Sequence, residues 1–259
     1  MSKNRSSRRS AASLRTRPEP VWLYGRHAVL AALNNPERPL RRIVSTPSAL
    51  EWLADNGAPA PLLRKVSPSD HDAVSAATGA GAVHQGLAAL VDELPRVRLR
   101  DACADPEQTS VVVVLDQVTD PQNIGAIFRS AFAFNVRALI AQDRRTPPLA
   151  GALAKAAAGA VETLPFVSVV NIARAIEGLQ GLGYHCAGLA AKQGAHPIGA
   201  LPNRKPIALV LGAEGDGLRL KVGETCDALY RIPIAREMES LNVSNAAAIA
   251  LYAAASRDG

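Results

Sequence analysis

Three polar segments in this chain each follow a run of apolar residues, and their side chains define the chemistry open to the protein. The first runs from Asp116 to Arg129 and carries Asn123 and Arg129; the second is Gly212-Ala-Glu214-Gly215-Asp-Gly217; the third leads from Ile232 through Ser240, Leu241 and Asn242 to Ser244. Two amides, a guanidinium, a carboxylate and a hydroxyl can grip hydroxyls and phosphates. No His or Cys falls in the three segments, so the usual general base and thiol nucleophile are missing from the set. The glycines allow backbone to approach a ligand closely and to take up positive φ. Each segment also has a plainer reading: Arg129 as a snorkelling or ion-paired surface residue, Glu214 as an exposed carboxylate on a strand-to-helix turn, and Ser240 or Asn242 as a helix cap. The spacing of Asn123 and Arg129 does not by itself place them on one helical face.

Other chemistries are excluded by what the sequence lacks. No G-x-G-x-x-G follows the Val111–Leu115 run, and there is neither a P-loop nor a G-x-S-x-G elbow, so dinucleotide, nucleotide and hydrolase sites lose their signatures. Cys103, Cys186 and Cys226 form no C-x-x-C pair, and the five histidines form neither H-x-x-x-H nor H-E-x-x-H. A disulfide framework and a structural zinc are therefore not expected, no metal is assigned, and a reducing cytoplasm fits.

The elements that must position these segments alternate in type. Val111–Leu115 reads as a strand buried on both faces, and Asp120-Pro121 as a cap and first turn of a helix reaching about Phe134. Further strands are expected at 136–141, 161–164, 184–189, 207–211 and 229–234, with helices at 149–158, 171–182 and 242–256. This alternation predicts an α/β fold with a mostly parallel, doubly wound sheet. Ahead of it, a helix over 24–35, strands at 40–46, 62–66 and 83–91, and a helix over 69–78 make a small α/β unit. Residues 94–109, charged and aperiodic, read as a linker.

The chain has 259 residues, 48% of them hydrophobic but only 4% aromatic, which excludes a mainly disordered protein and demands an aliphatic core. The longest apolar stretch, Ala246 to Ala255, is well short of the roughly 20 residues that cross a bilayer, so a soluble protein with no membrane partner is expected. The formal charge is +6, and Lys3, Arg5, Arg8, Arg9, Arg15 and Arg17 account for all of it; the remaining basic residues balance the 23 acids. Such a tail fits a disordered basic arm for nucleic acid, with a transit peptide or a solubilising appendage as alternatives.

Taken in order, D-x-x-x-D-P-x-N-I-G-A-x-x-R, L-G-x-E-G and I-P…S-L-N-V-S resemble the three motifs of the SpoU (TrmH-like) branch of the SPOUT RNA methyltransferases. The likeness spans Trp22 to Arg257, and Tyr24-Gly25-Arg26-His27-Ala28-Val29 resembles the opening helix of that family's L30e-like RNA-binding domain. The pairing is most similar to the 23S rRNA guanosine 2′-O-methyltransferases. With the disordered basic tail set at 1–19 and the linker at 94–109 by composition, the resemblance implies an RNA-binding domain over 20–93 and a catalytic domain over 110–259 with a C-terminal trefoil knot. It also implies S-adenosylmethionine as methyl donor, with Gly212, Ile232 and Leu241 lining its pocket and Asn123, Arg129, Glu214, Ser240 and Asn242 in the active site. Arg129 would serve as proton acceptor or as phosphate clamp. Ribosomal RNA and a second copy of the chain are the implied partners, the latter also suggested by the alanines of the last helix. A tRNA 2′-O-methyltransferase and a non-catalytic ribosome assembly factor are the alternatives. Two departures from the family's pattern, Asn245 and Ala235-Arg236-Glu237, fall around the third motif.

Overall fold

The computed structural model describes residues 19–192, 194–235, 238 and 240–257; the basic residues of the tail lie outside these, as do Arg236 and Glu237. The expected α/β architecture is present. Seven strands form one sheet in the order β6-β5-β4-β9-β7-β10-β8, and every pairing within it is parallel. These are β4 (Val111–Asp116), β5 (Ala138–Gln142), β6 (Phe166–Val169), β7 (His185–Leu189), β8 (His196–Pro197), β9 (Ile207–Gly212) and β10 (Ala228–Arg231). β4 and β9, adjacent and buried at every residue, are the continuous apolar runs that a sheet covered on both faces requires.

Helices cover both faces. On one lie α6 (Pro121–Ala133), α7 (Gly151–Ala157) and α10 (Val243–Ala255), packed over Val113, Leu115, Leu209 and Leu211. On the other lie α5 (Leu99–Cys103), α8 (Ile172–Gly181) and α9 (Leu220–Thr225), over Val112, Val114, Ala208 and Val210. α6 starts where Asp120 accepts the Asn123 N–H at 2.8 Å, with Pro121 in the first turn. Gly125 lets α7 approach closely: a Cβ there would stand 2.4 Å from the Leu153 carbonyl oxygen.

The front unit has its own antiparallel sheet, order β1-β3-β2, from β1 (Val21–Tyr24), β2 (Leu40–Ser45) and β3 (Leu87–Val91). Around it are α1 (Arg26–Asn34), α2 (Pro47–Asp55), α3 (Ala60–Leu63) and α4 (His71–Thr78). Its core takes in Ala154 of α7, so the two units share apolar contact. A polar seam lies beside it. Arg38 and Glu162, with side chains only 1% and 4% exposed, approach to 3.6 Å, and Asn35 donates to Glu162 Oε2 at 2.9 Å.

Several expected elements differ. The strand at 62–66 is instead the single turn α3, started by Pro59 and Pro61. The strand at 161–164 is a 3₁₀ turn, Ala160–Glu162; Ala158 and Gly159, at φ 50° and 96°, reverse the chain, and the strand begins only at Phe166. The linker contains α5, whose Ala102 and Cys103 are buried in the sheet's second core. Gln85 and Gly86, both at positive φ, delay the third front strand to Leu87, while Tyr24 belongs to strand β1 and not to the first helix. Ile232-Pro233-Ile234 lies beyond β10. α2, α9 and the two-residue β8 were not anticipated. In α10, Ala247, Ala250 and Ala254 are buried against this chain's own core; the large apolar residues that helix exposes are Ile249 and Tyr252.

Candidate active site

Ligands of open α/β sheets bind beyond the carboxyl ends of the strands, and that is where the three polar segments converge. β4 and β9 end side by side, Asp116 in register with Gly212. The chain after β4 turns into α6 and presents Asn123 in the first turn, the chain after β9 carries Glu214, and Asn242 caps α10.

Their side chains bond to one another. Glu214 Oε1 accepts from Asn123 Nδ2 at 3.2 Å, from Asn242 Nδ2, and from the Val243 backbone N–H at 3.2 Å. Asn242 Nδ2 also donates to Asn123 Oδ1 at 2.9 Å. Asn242 Oδ1 meanwhile accepts the Ser244 and Asn245 backbone N–H groups, so the expected helix cap and the expected site residue are the same side chain in one orientation. Both Asn242 and Asn123 are thereby held, and no described residue donates to Glu214 Oε2. A carboxylate with one oxygen fixed and the other available is suited to receive a hydroxyl or an amine.

Beside this cluster lies a cavity of about 560 Å³ whose lining includes Gly212, Ile232, Ser240 and Leu241. Glu214, Asp216, Arg219 and Arg231 supply charges of both signs around it. Gly212 is needed for a reason internal to the chain: a Cβ there would sit 2.1 Å from the Gly217 carbonyl carbon, because the loop folds back over it. Tyr230 also lines the cavity, and burial pushes its phenol above the ordinary value. Desolvation of the half-buried Cys226 thiol, with the charges of Asp227 and Asp116 nearby, raises it to about 12, so neither group is an anionic nucleophile at neutral pH. Among the described residues no group of three or more His, Cys, Asp or Glu side chains is placed to hold a metal ion.

Arg129 stands apart. It is exposed, lies beyond the first turns of α6, and its side chain makes no hydrogen bond or ion pair with another described residue. Ser240 is exposed at the cavity edge and is not part of the hydrogen-bonded cluster. Sequence reasoning missed Arg219, which binds the fully buried Asp116 through Nε at 2.8 Å and Nη2 at 2.6 Å. The available signal was a carboxylate closing an all-apolar buried strand, a position that requires a partner.

Comparison with known proteins places the family. Residues 110–252 match the model of the SpoU rRNA Methylase family. The 23S rRNA (guanosine-2′-O-)-methyltransferase RlmB of Vibrio cholerae is 43% identical over 177 residues, covering 67% of this chain and 71% of that protein. The protein of the same name in Ralstonia nicotianae is 36% identical over 236 residues, covering 90% and 94%. An uncharacterised tRNA/rRNA methyltransferase of Synechocystis is 38% identical over 243 residues; the match covers 89% of this chain but only 61% of that relative's length. Among solved structures, the SpoU methyltransferase AviRb of Streptomyces viridochromogenes, in complex with the cofactor AdoMet, superposes with a TM-score of 0.75 at 23% identity, covering 93% of this chain and 91% of that one. An AdoMet-bound rRNA methyltransferase of Sinorhizobium meliloti gives 0.73 at 24%, covering 91% and 87%. These two share the fold. The matched region contains all three segments that meet at Glu214, and a relative is similar along nearly the whole length: the chain belongs to the SpoU rRNA methylase family.

Proposed function

We propose that this protein transfers a methyl group from S-adenosylmethionine to the 2′-hydroxyl of a guanosine in 23S ribosomal RNA. The observation that carries the reading is the convergence of Asn123, Glu214 and Asn242 beside a cavity lined by Gly212, Ile232 and Leu241. The reaction and substrate follow the names of the relatives. The cavity fits the donor by size and by chemistry. Its volume lies within the usual range for small-molecule sites, and its carboxylates and guanidinium groups complement an amino acid's two charges.

S-adenosylmethionine supplies an electrophilic methyl on a sulfonium, which needs no metal. The chain's residues supply position and a place for one proton. Asn123 and Asn242 hold Glu214 so that its second oxygen meets the ribose hydroxyl, and Ser240 orients the ribose from the cavity edge. Arg129 clamps the target's phosphate: a solvent-facing guanidinium keeps its charge and matches phosphate with paired donors. The small unit over 20–93 serves as an L30e-like RNA-binding domain, joined through 94–109 to the catalytic domain over 110–259. The family resemblance further supports a trefoil knot in the C-terminal segment, and rRNA as substrate supports a cytoplasmic location.

A homodimer completes the proposal. Phe132 on α6 and Ile249 and Tyr252 on α10 are 48%, 40% and 64% exposed, and Phe134 stacks edge-on against Tyr252. Such a strip of large apolar groups on two adjoining helices is what a second copy would cover. Light scattering that gives a single-chain mass at micromolar concentration would remove this part.

Labelled S-adenosylmethionine offered with 23S rRNA and, separately, with tRNA tests the function. Label in 23S rRNA at a ribose that resists alkaline cleavage is the expected result. Label only in tRNA overturns the substrate, and no transfer to either RNA overturns the reaction.

A further inference from the structure

The cavity wall from Gly212 to Leu220 is the connection from the end of β9 to the start of α9, and its far end is tied to strand β4. Asp116, the last residue of β4, is fully buried. Its Oδ1 accepts from Nε and Nη2 of Arg219, and its Oδ2 accepts from the Arg219 backbone N–H at 3.0 Å. A forked guanidinium contact combined with a backbone hydrogen bond fixes both the side chain and the path of the main chain where α9 begins. The near end of the loop is Gly212, the register neighbour of the same Asp116. Between the two ends, Ala213 and Gly217 exchange N–H···O bonds of 3.1 and 3.0 Å, with Gly215 and Gly217 at φ 83° and 67°. The loop is therefore closed twice at its base, and Glu214 projects from its tip to Asn123 and Asn242.

We propose that Asp116 and Arg219 are positioning residues for the methyl donor: their ion pair holds residues 213–218 in the shape that walls the donor cavity. The inference rests on the cofactor reading above. Asp116 does not line the cavity, so it acts only through the loop; Arg219 does line it, so its own loss could also remove a direct contact. The pair is unequal. Arg219 is 42% exposed and can be rehydrated if it loses its partner, whereas Asp116 is sealed from water and depends on those three donors. The base of the loop is thus tied to a buried strand of the sheet, in addition to the bonds that Glu214 makes at its tip.

Hydrogen exchange, calorimetry and a double-mutant cycle test the proposal in the full chain. With no cofactor added, Asp116→Asn should lose exchange protection in residues 213–218 while the sheet amides keep theirs. Its dissociation constant for S-adenosylmethionine should rise about tenfold, the scale of one lost charged hydrogen bond. Asp116→Asn combined with Arg219→Gln should bind no worse than the weaker single variant, because a pair that acts as a unit is broken only once. If Asp116→Asn fails to fold, Arg219→Lys, which keeps the charge but loses the fork, gives the same readings. Unchanged exchange in 213–218, or additive effects of the two substitutions, overturns the clamp. Lost protection with unchanged affinity overturns the link to the donor. A wild-type chain that does not bind S-adenosylmethionine overturns the cofactor reading itself, and is told apart because exchange still reports on the loop.

Discussion

Replacing Glu162 by Ala leaves the Arg38 guanidinium buried between the front unit and the sheet without its nearest counter-ion, with only the weaker attraction of Glu93 and Asp92 remaining. The pair is already poorly made. Its 3.6 Å contact is longer than a hydrogen bond, and Nε and Nη2 of Arg38 find no hydrogen-bond partner among the described residues. Burial pushes the Glu162 carboxyl above its ordinary value and the Arg38 guanidinium below its own, each against the attraction of the other. Desolvation therefore outweighs attraction on both sides. Removing one partner of a buried pair costs about 3–5 kcal/mol, and the imperfect geometry here argues for the lower end, about 3 kcal/mol. Asn35 also loses its 2.9 Å acceptor but keeps the Glu162 carbonyl at 3.3 Å. For a protein of this size that loss lowers the melting temperature by about 6–12 °C. The double variant Arg38→Met/Glu162→Leu should regain all of it, since apolar replacements of such pairs are commonly neutral or stabilising. Urea titration with fluorescence and calorimetry on the three proteins measures both numbers. A loss below about 1 kcal/mol in Glu162→Ala would mean that Arg38 reaches water in the folded chain, and a double variant no better than the single would refute the desolvation account.

Arg129→Ala should reduce methyl transfer at least a hundredfold, the order of removing one positioned charged group, while leaving S-adenosylmethionine affinity within twofold by calorimetry; near-normal single-turnover rates would remove Arg129 from the site. His84 is buried with Nδ1 accepting the Gly86 N–H at 3.1 Å, and burial, then neighbouring His71, lowers its pKa, so its contribution to stability is present above about pH 6.5 and lost as the pH falls below it. Urea unfolding at pH 7.5 and 5.0 should show a smaller loss for His84→Asn than for wild type, with His185, lowered in both, cancelling from the difference; equal losses would contradict this. Deleting residues 1–17 should reduce the log–log salt slope of RNA binding by about two to three units, because those residues carry the whole net charge; isotherms at several salt concentrations with identical slopes would show that the tail does not meet phosphate.

Legibility in the sequence followed segment length and charge. β4 was readable because five β-branched and aliphatic residues in succession admit few alternatives, and α6 because Asp120-Pro121 marks its start by a mechanism, which the 2.8 Å cap confirms. Segments of three to five residues gave no period to read: Leu62-Leu63 and Val161 carry strand-like composition, yet Pro61 and the positive φ of Ala158 and Gly159 decide their conformation. α5 was hidden in the same way, as one turn that presents only Ala102 and Cys103 to the core. Within the site, residue types were legible but partners were not. Nothing in the spacing of Asn123, Glu214 and Asn242 says that one carboxylate oxygen takes three donors, nor that Arg38 lies against Glu162.

The two carboxylates at the head of the sheet show why the partners matter. Asp116 and Glu214 come from adjacent strand ends, one before the glycine loop in space and one within it, and each accepts three N–H donors. At Asp116 the donors come from a single residue and use both oxygens, leaving a buried charge that is satisfied and has nothing further to offer. At Glu214 all three converge on Oε1, which fixes the group while sparing Oε2. The difference follows from depth: a carboxylate sealed inside the sheet must consume its bonding capacity within the protein, whereas one at the loop tip can be anchored by half and still be solvated. The spare oxygen of Glu214 is what the proposed reaction uses, and the consumed bonding capacity of Asp116 is what the proposed loop clamp uses.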